Sequence, residues 1–213
     1  MQKISLVLRH YNRLKPMDCT VISGDTSKLF TIRLNDNESK GTEMFKGDPV
    51  LIGTLTNSDA IQINGGNVIG VTGKCETYII CSNEVVNIAA EMEKRQHERY
   101  PASLLGDIKS IASNKREDAC IKDISYSGMC IFSTGEYNVD DIVEVTIYLS
   151  NTVSIFDGKV VRKSKNFGRN EYGIQIIHRD KNAVYAAQAQ LANLIQNERD
   201  LMYKHLLNSN FKL

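Results

Sequence analysis

The stretch EMEKRQHERYPASL, Glu91 to Leu104, decides how the chain divides. Seven of its side chains are charged or imidazole, and from Glu91 to Arg99 only Met92 is apolar, so the run has no core face of its own. On both sides of it the sequence reads as β-strands. A polar stretch without a core face, set between two runs of strands, is a connector between two domains.

Upstream, from Asp18 to about Asn87, short apolar runs alternate with turn residues: CTVISG, LFTIRLND, DPVLIGTLTN, AIQING, GNVIGVTG and ETYIICSN. This spacing predicts a small β-barrel. Asn64-Gly65-Gly66-Asn67 is expected to be a tight hairpin turn, since Asn and Gly tolerate the positive φ that such turns need. Downstream, strands resume in SLLGDIKSIAS, ACIKDISYSGMCIFS, DIVEVTIYLS, SIFDGKVVRKSK and EYGIQIIH. Val143, Val145, Ile147 and Leu149 alternate with Glu144, Thr146 and Tyr148, which predicts one buried and one wet face. After His178 the period changes. Val184, Ala187, Leu191, Leu194 and Ile195 recur at helical spacing in a run without Gly or Pro, so a long amphipathic helix is expected there, packed on its own chain or paired with a second copy.

The expected fold is therefore mainly β: an N-terminal split-barrel-like domain over residues 1–90, a connector over 91–104, a second antiparallel barrel over 105–180 and a C-terminal helix over 181–213.

Charge limits the partners. The chain has 26 basic and 25 acidic side chains, a formal charge of +1, and neither half is a basic module. That argues against a protein held on long nucleic acid or anionic membrane by its overall field, so an anionic ligand must be small and bound by local geometry. The N-terminus MQKISLVLRHYNRLK is too short in apolar residues for a signal peptide, and no run reaches transmembrane length, so a cytoplasmic location without membrane insertion is expected. Five cysteines, Cys19, Cys75, Cys81, Cys120 and Cys130, sit in strand-like contexts and read as buried free thiols. The spacing of Cys75 and Cys81 does not suit a zinc knuckle, and no metal or other cofactor is expected.

Two short patterns point to chemistry. Arg95 and Arg99 form an RxxxR pattern, which alone is weak: ten arginines in this chain give roughly 0.5 such matches by chance, and RHYNR, Arg9 to Arg13, is a second copy. The later copy has a partner in DISYSG, where Asp123, Ser125 and Gly128 stand 24, 26 and 29 residues beyond Arg99 at a strand–turn–strand junction. A planar guanidinium can grip two neighbouring acceptor atoms of a ligand with two parallel hydrogen bonds, which a lysine cannot. Arg95 and Arg99 lie on one side of an extended or a helical segment, about 13 Å apart if extended at roughly 3.3 Å per residue. Asp123 supplies an acceptor for N–H donors or an anchor for an arginine, Ser125 a hydroxyl, and Gly128 a positive φ or a close approach of backbone to the ligand.

With RQHERYPA and DISYSGM in place, and EYGIQII as a late Gly-hydrophobic strand, residues 92 to 180 resemble the PilZ family of bacterial cyclic di-GMP receptors. The resemblance implies cyclic di-GMP as ligand, Arg95, Arg99, Asp123, Ser125 and Gly128 as its binding residues, and Lys94, Gln96 and His97 as flanking candidates. In this family the residue before RxxxR influences whether one ligand or an intercalated pair is held, and here it is Lys94. The N-terminal barrel looks more loosely like the companion domain of flagellar-brake-type PilZ proteins, which implies motility and a flagellar motor component as a protein partner. No GxSxG, HExxH or P-loop pattern is present, so no enzyme is expected. The alternative is a ligand-independent interaction module of the same fold, acting on motility or exopolysaccharide machinery.

Overall fold

Alternation of apolar and polar residues closes each run of strands into its own barrel. A computed structural model describes residues 5–35, 41–55, 61–72, 77–83, 97–149, 152–178 and 180–210. The first barrel is built from β1 (Ser5–His10), β2 (Met17–Gly24), β3 (Leu29–Leu34), β4 (Pro49–Leu55), β5 (Ile61–Thr72) and β6 (Thr77–Ser82), in the order β1-β2-β3-β6-β5-β4 with β4 returning to β1. The second is built from β7 (Tyr100–Ser110), β8 (Arg116–Ser125), β9 (Gly128–Ser133), β10 (Ile142–Tyr148), β11 (Val153–Asn166) and β12 (Arg169–Ile176), in the order β10-β11-β12-β9-β8-β7 with β7 closing on β10. All pairs are antiparallel, and closure removes the exposed edges that an open sheet would offer to other chains.

Each barrel has its own core. Leu6, Leu8, Phe30, Ile32, Ile52 and Tyr78 fill the first, and Ile108, Ile121, Ile131, Val145, Val160 and Tyr172 fill the second. Burying each such side chain contributes about 1.5–3 kcal/mol. Val143, Val145 and Ile147 face inward as their period predicts, but Thr146 is buried on the outer side as well. Its hydroxyl lies beneath Arg116, whose Nη1 donates to it at 3.2 Å and to Asp107 at 2.6 Å.

The helix, α1 (Lys181–Asn210), starts where Asp180 accepts a hydrogen bond from the Ala183 backbone N–H, an N-cap. The chain separates into two compact units, and α1 is divided between them: residues up to Asn197 belong with 95–197 and residues from Glu198 onward belong with 1–94. Within the second unit Leu191 and Leu194 join the barrel core. Within the first, Met202 and Leu206 pack on Val7 and Leu51, and a side chain at Gly53 would collide with both, at 2.9 Å. The apolar stripe of α1 is thus covered by its own chain. Among the described residues no helix is long and apolar enough to cross a membrane.

Three expectations need correction. Asn64–Asn67 is not a turn: β5 runs through it unbroken, with Leu51 opposite Gly65 and Val50 opposite Gly66. The glycine at 66 serves packing instead, since a Cβ there would meet the Ile52 side chain at 2.7 Å. A strand also precedes Asp18, because Leu6, Val7 and Leu8 give β1, which closes the first barrel against β4. Arg9, in the RHYNR copy, belongs to the interior of the first unit. It is buried, and its Nε donates to Glu198 at 3.2 Å. The strand β7 begins at Tyr100, so the last residues of the expected connector, Tyr100 to Leu104, are sheet. Cys19, Cys120 and Cys130 are buried free thiols, Cys81 is partly buried, and Cys75 lies outside the described residues.

Candidate functional site

Strict alternation along β8 would turn Asp123 inward, because Ile121 is a core residue two places before it. A β-bulge prevents this. Ile121 pairs with Ile131 and Asp123 with Cys130, leaving Lys122 as the extra residue, and the shift turns Asp123 to the outer face. The adjoining strand is irregular at the same level, where Pro101 pairs with Asp123 and Leu104 with Ile121. These pairings carry the residues just before Pro101 alongside the end of β8.

Arg99 is delivered there. Its Nη1 lies 3.4 Å from Oδ1 of Asp123, across 24 residues of sequence, with both side chains partly exposed. The contact is long for a hydrogen bond, and a part-exposed ion pair of this kind contributes about 1 kcal/mol or less. The pair therefore does little for the fold, and both groups remain accessible to a ligand. Burial pushes the Asp123 carboxyl above its ordinary range, with the Arg99 guanidinium opposing the shift.

The turn that follows is held from within. Ser125 is buried, and its hydroxyl donates to the Gly128 carbonyl at 3.1 Å while accepting from the Ser127 N–H at 3.4 Å. Gly128 is not among the residues with positive φ. It is glycine because a Cβ at that point would lie 2.2 Å from the carbonyl oxygen of Ile174 on β12. Of the two roles expected for Gly128, the positive φ is excluded; the close approach that requires glycine here is to β12, and an approach to a ligand stands as a proposal. His97 is half-buried, with its ring edge-on to Tyr126 at 6.2 Å between centroids, and Tyr100 makes a similar contact at 6.3 Å. Lys94, Arg95 and Gln96 lie outside the described residues.

Sequence reasoning did not single out the charged group beside this turn. Glu171, almost fully buried on β12, accepts from Lys122 at 3.0 Å and from Arg162 at 2.9 Å. Burial opposes its ionisation, but hydrogen bonds and charge from Lys122, Asn166 and Arg162 outweigh that and hold its carboxyl below the usual range. Cys130, on the neighbouring strand, is pushed up to about 12 by burial and is an unreactive thiol at neutral pH. Nothing in a single sequence marks Glu171, since its partners come from two other strands. Among the described residues no group of three or more His, Cys, Asp or Glu side chains is placed to hold a metal ion.

The solved structures that resemble the chain include three at low identity. Bacillus subtilis inhibitor of motility (MotI/DgrA) is 12% identical, with a TM-score of 0.39, over 93% of this chain and 100% of that one. YcgR of Escherichia coli in complex with c-di-GMP is 13% identical, with a TM-score of 0.43, over 95% and 88%. The MrkH–c-di-GMP complex of K. pneumonia is 12% identical, with a TM-score of 0.42, over 93% and 90%. No curated protein matches the sequence. The PilZ domain, in contrast, matches residues 93–197, a span that holds Arg95, Arg99 and the whole DISYSG turn. Residues 93–197 of this chain are a PilZ domain.

Proposed function

We propose that the chain is a non-enzymatic receptor for cyclic di-GMP, and that the ligand changes the arrangement of its two domains to regulate flagellar motility through a protein partner such as a motor component. The observation that carries the reading is the placement of Arg99 beside Asp123. The two hallmark patterns, separated in sequence, meet on the outer face of one barrel in a pair too weak to be explained by stability. A guanidinium held at a carboxylate, with Arg95 four residues upstream, matches a ligand that presents guanine acceptors, guanine N–H donors and two phosphates. Ser125 and Gly128 act in this reading by fixing the turn that follows Asp123.

Calorimetry with cyclic di-GMP, GTP and cyclic AMP tests it. Heat is expected from cyclic di-GMP alone; equal heat from GTP would remove the specificity, and no heat from any would leave the ligand-independent interaction module. Arg99→Ala and Asp123→Ala are each expected to weaken cyclic di-GMP binding by one to two decades, because a charge-assisted hydrogen bond contributes about 1.5–3 kcal/mol. Their ligand-free melting temperatures are expected to stay within about 2 °C of wild type, since the long, part-exposed pair stabilises the fold little. A large loss of melting temperature in either variant would assign the pair to the fold instead.

The domain rearrangement has its own test. If the ligand grips Arg95 and Arg99 together with Asp123, residues 91–99, ahead of β7, become fixed against the second barrel. A hundredfold preference for that state, about 2.7 kcal/mol, suffices to shift the equilibrium. Hydrogen exchange is expected to show protection over residues 91–99 when cyclic di-GMP is added. Protection confined to 121–130, with the connector exchanging as before, would sink the rearrangement while leaving the receptor reading intact.

A further inference from the structure

The outer face of β8, β9, β12 and β11 is a ladder of cross-strand neighbours, and one of its rows runs Asp123, Cys130, Gly173, Arg162. The row nearer the turn runs Ser125, Gly128, Gln175, Lys159. Two glycines and a buried cysteine keep the floor low between Asp123 at one side and Arg162 at the other.

Arg162 stands in this row because of a second bulge. Val160 is a core residue, so alternation would point Arg162 inward as well. Between Val160, paired with Ile174, and Arg162, paired with Gly173, Val161 is the extra residue, and Arg162 turns outward. Its arm then lies across Gly173, where an added Cβ would sit 3.3 Å from its own Cβ and 3.7 Å from its Nε. The guanidinium ends with Nη2 at 3.8 Å from the Cys130 sulfur and 2.9 Å from Oε1 of Glu171. Glu171, in the adjoining row, holds Nη2 of the fork beside Cys130. Nε and Nη1 make no hydrogen bond to a described residue, and the side chain is 53% exposed, so part of the five-donor fork is accessible to a ligand.

Cα atoms of Asp123 and Arg162 are three strand spacings apart, about 14 Å, and the two side chains reaching inward leave a gap of roughly 5–8 Å, the span of a purine. Guanine carries donors on its N1/N2 edge and acceptors at O6 and N7, which suits a carboxylate on one side and a guanidinium on the other. Adenine presents an amino group where guanine has O6. We propose that Arg162 is a third arginine of the site and takes the O6/N7 edge of one guanine, with Glu171 as its positioning residue. This rests on the cyclic di-GMP reading above.

Arg162→Ala and Arg162→Lys test it by calorimetry with cyclic di-GMP and cyclic di-AMP. Arg162→Lys keeps a cation beside Glu171, so its ligand-free melting temperature is expected to match wild type and its affinity is read on a folded protein. Both variants are expected to bind cyclic di-GMP at least tenfold more weakly, and selectivity over cyclic di-AMP is expected to narrow by a similar factor. Unchanged affinity in both variants overturns the proposal. Affinity lost in Arg162→Ala but kept in Arg162→Lys also overturns it, because a plain positive charge would then suffice. Absence of heat from the wild-type protein overturns the receptor reading together with this one, whereas binding by wild type that the variants share overturns this one alone.

Discussion

Arg9→Ala is expected to destabilise the first unit by about 3–5 kcal/mol, and to lower its melting temperature by on the order of 10 °C, without changing affinity for cyclic di-GMP at temperatures where the protein is folded. Arg9 and Glu198 are each almost fully buried, and Nε and Nη2 of the arginine face the two carboxylate oxygens at 3.2 and 3.5 Å. Nη1 also donates to the His10 carbonyl at 2.8 Å. Removing the arginine leaves a carboxylate in the interior with no counter-charge, which is the expensive half of a buried pair. The pH dependence follows from Glu198. Burial already raises its carboxyl above the ordinary value of 4.5, and Arg9 offsets part of that rise. A group whose folded pKa is raised favours the fold below its unfolded pKa and loses that contribution as pH climbs through the folded one. Without Arg9 the folded pKa rises further. The deficit of Arg9→Ala relative to wild type is therefore expected to be smallest near pH 4.5 and to widen toward neutrality. Arg9→Met combined with Glu198→Leu is expected to recover most of the loss, since an apolar pair needs no desolvation of charge. Thermal melts of the three proteins between pH 4.5 and 8 decide it, and a deficit that does not vary with pH would mean that packing around Arg9, and not the charge left on Glu198, dominates.

That RHYNR reads from sequence as a mere duplicate of RxxxR shows where linear patterns stop being informative. The spacing is the same in both copies. What separates them is that β1 turns Arg9 toward Glu198, 189 residues away, while the residues before β7 carry Arg99 to Asp123. The two-barrel plan was legible because period-two alternation is local, and the helix because its apolar stripe is. The missed strand β1 and the false turn at Asn64–Asn67 have a shared cause. Turn propensity and strand propensity are weak local preferences, and pairing with neighbouring strands outvotes both. Gly65 and Gly66 are permitted a turn by their chemistry, but β4 on one side pairs with them as strand.

For the proposed site, the sequence named candidate residues but not the geometry that brings Arg99 to Asp123. Asp123 and Arg162 each sit one residue past a bulge, and each would face the core by simple alternation. No single-strand pattern announces a bulge, because the extra residue is defined only against the partner strand. The same holds for Glu171, whose value lies in collecting Lys122 and Arg162 from different strands. Ser125 shows the reverse case. Its hydroxyl was expected to face a ligand, whereas its hydrogen bonds within the turn account for why a small buried hydroxyl is placed there.

Gly128→Ala is expected to be among the most damaging single substitutions in the second unit, costing about 3–5 kcal/mol, and to abolish cyclic di-GMP binding even where the protein remains folded. Gly128 opens β9 opposite Gln175 of β12, and the path from Cα toward an added Cβ runs straight at the Ile174 carbonyl oxygen, 2.2 Å away. The Ile174 carbonyl carbon and the Gln175 Cα follow at 3.2 and 3.3 Å. All three are backbone atoms, so no rotamer change can relieve the contact, and β9 must move away from β12. That movement drags the turn from Ser125 to Gly128 with it, since the Ser125 hydroxyl is bonded to the Gly128 carbonyl, and Asp123 lies two residues before that hydroxyl. Loss of binding would then come through displacement of Asp123 and not through loss of a glycine contact. Gly173→Ala serves as the comparison. It lies in the same sheet, but the nearest atoms to its added Cβ belong to the Arg162 side chain, from 3.3 Å, which can shift by a few tenths of an ångström. A melt in which Gly128→Ala falls by on the order of 10 °C while Gly173→Ala falls by only a few degrees supports backbone collision as the cause. Equal melting temperatures for the two variants, with binding lost only in Gly128→Ala, would instead place Gly128 in direct contact with the ligand.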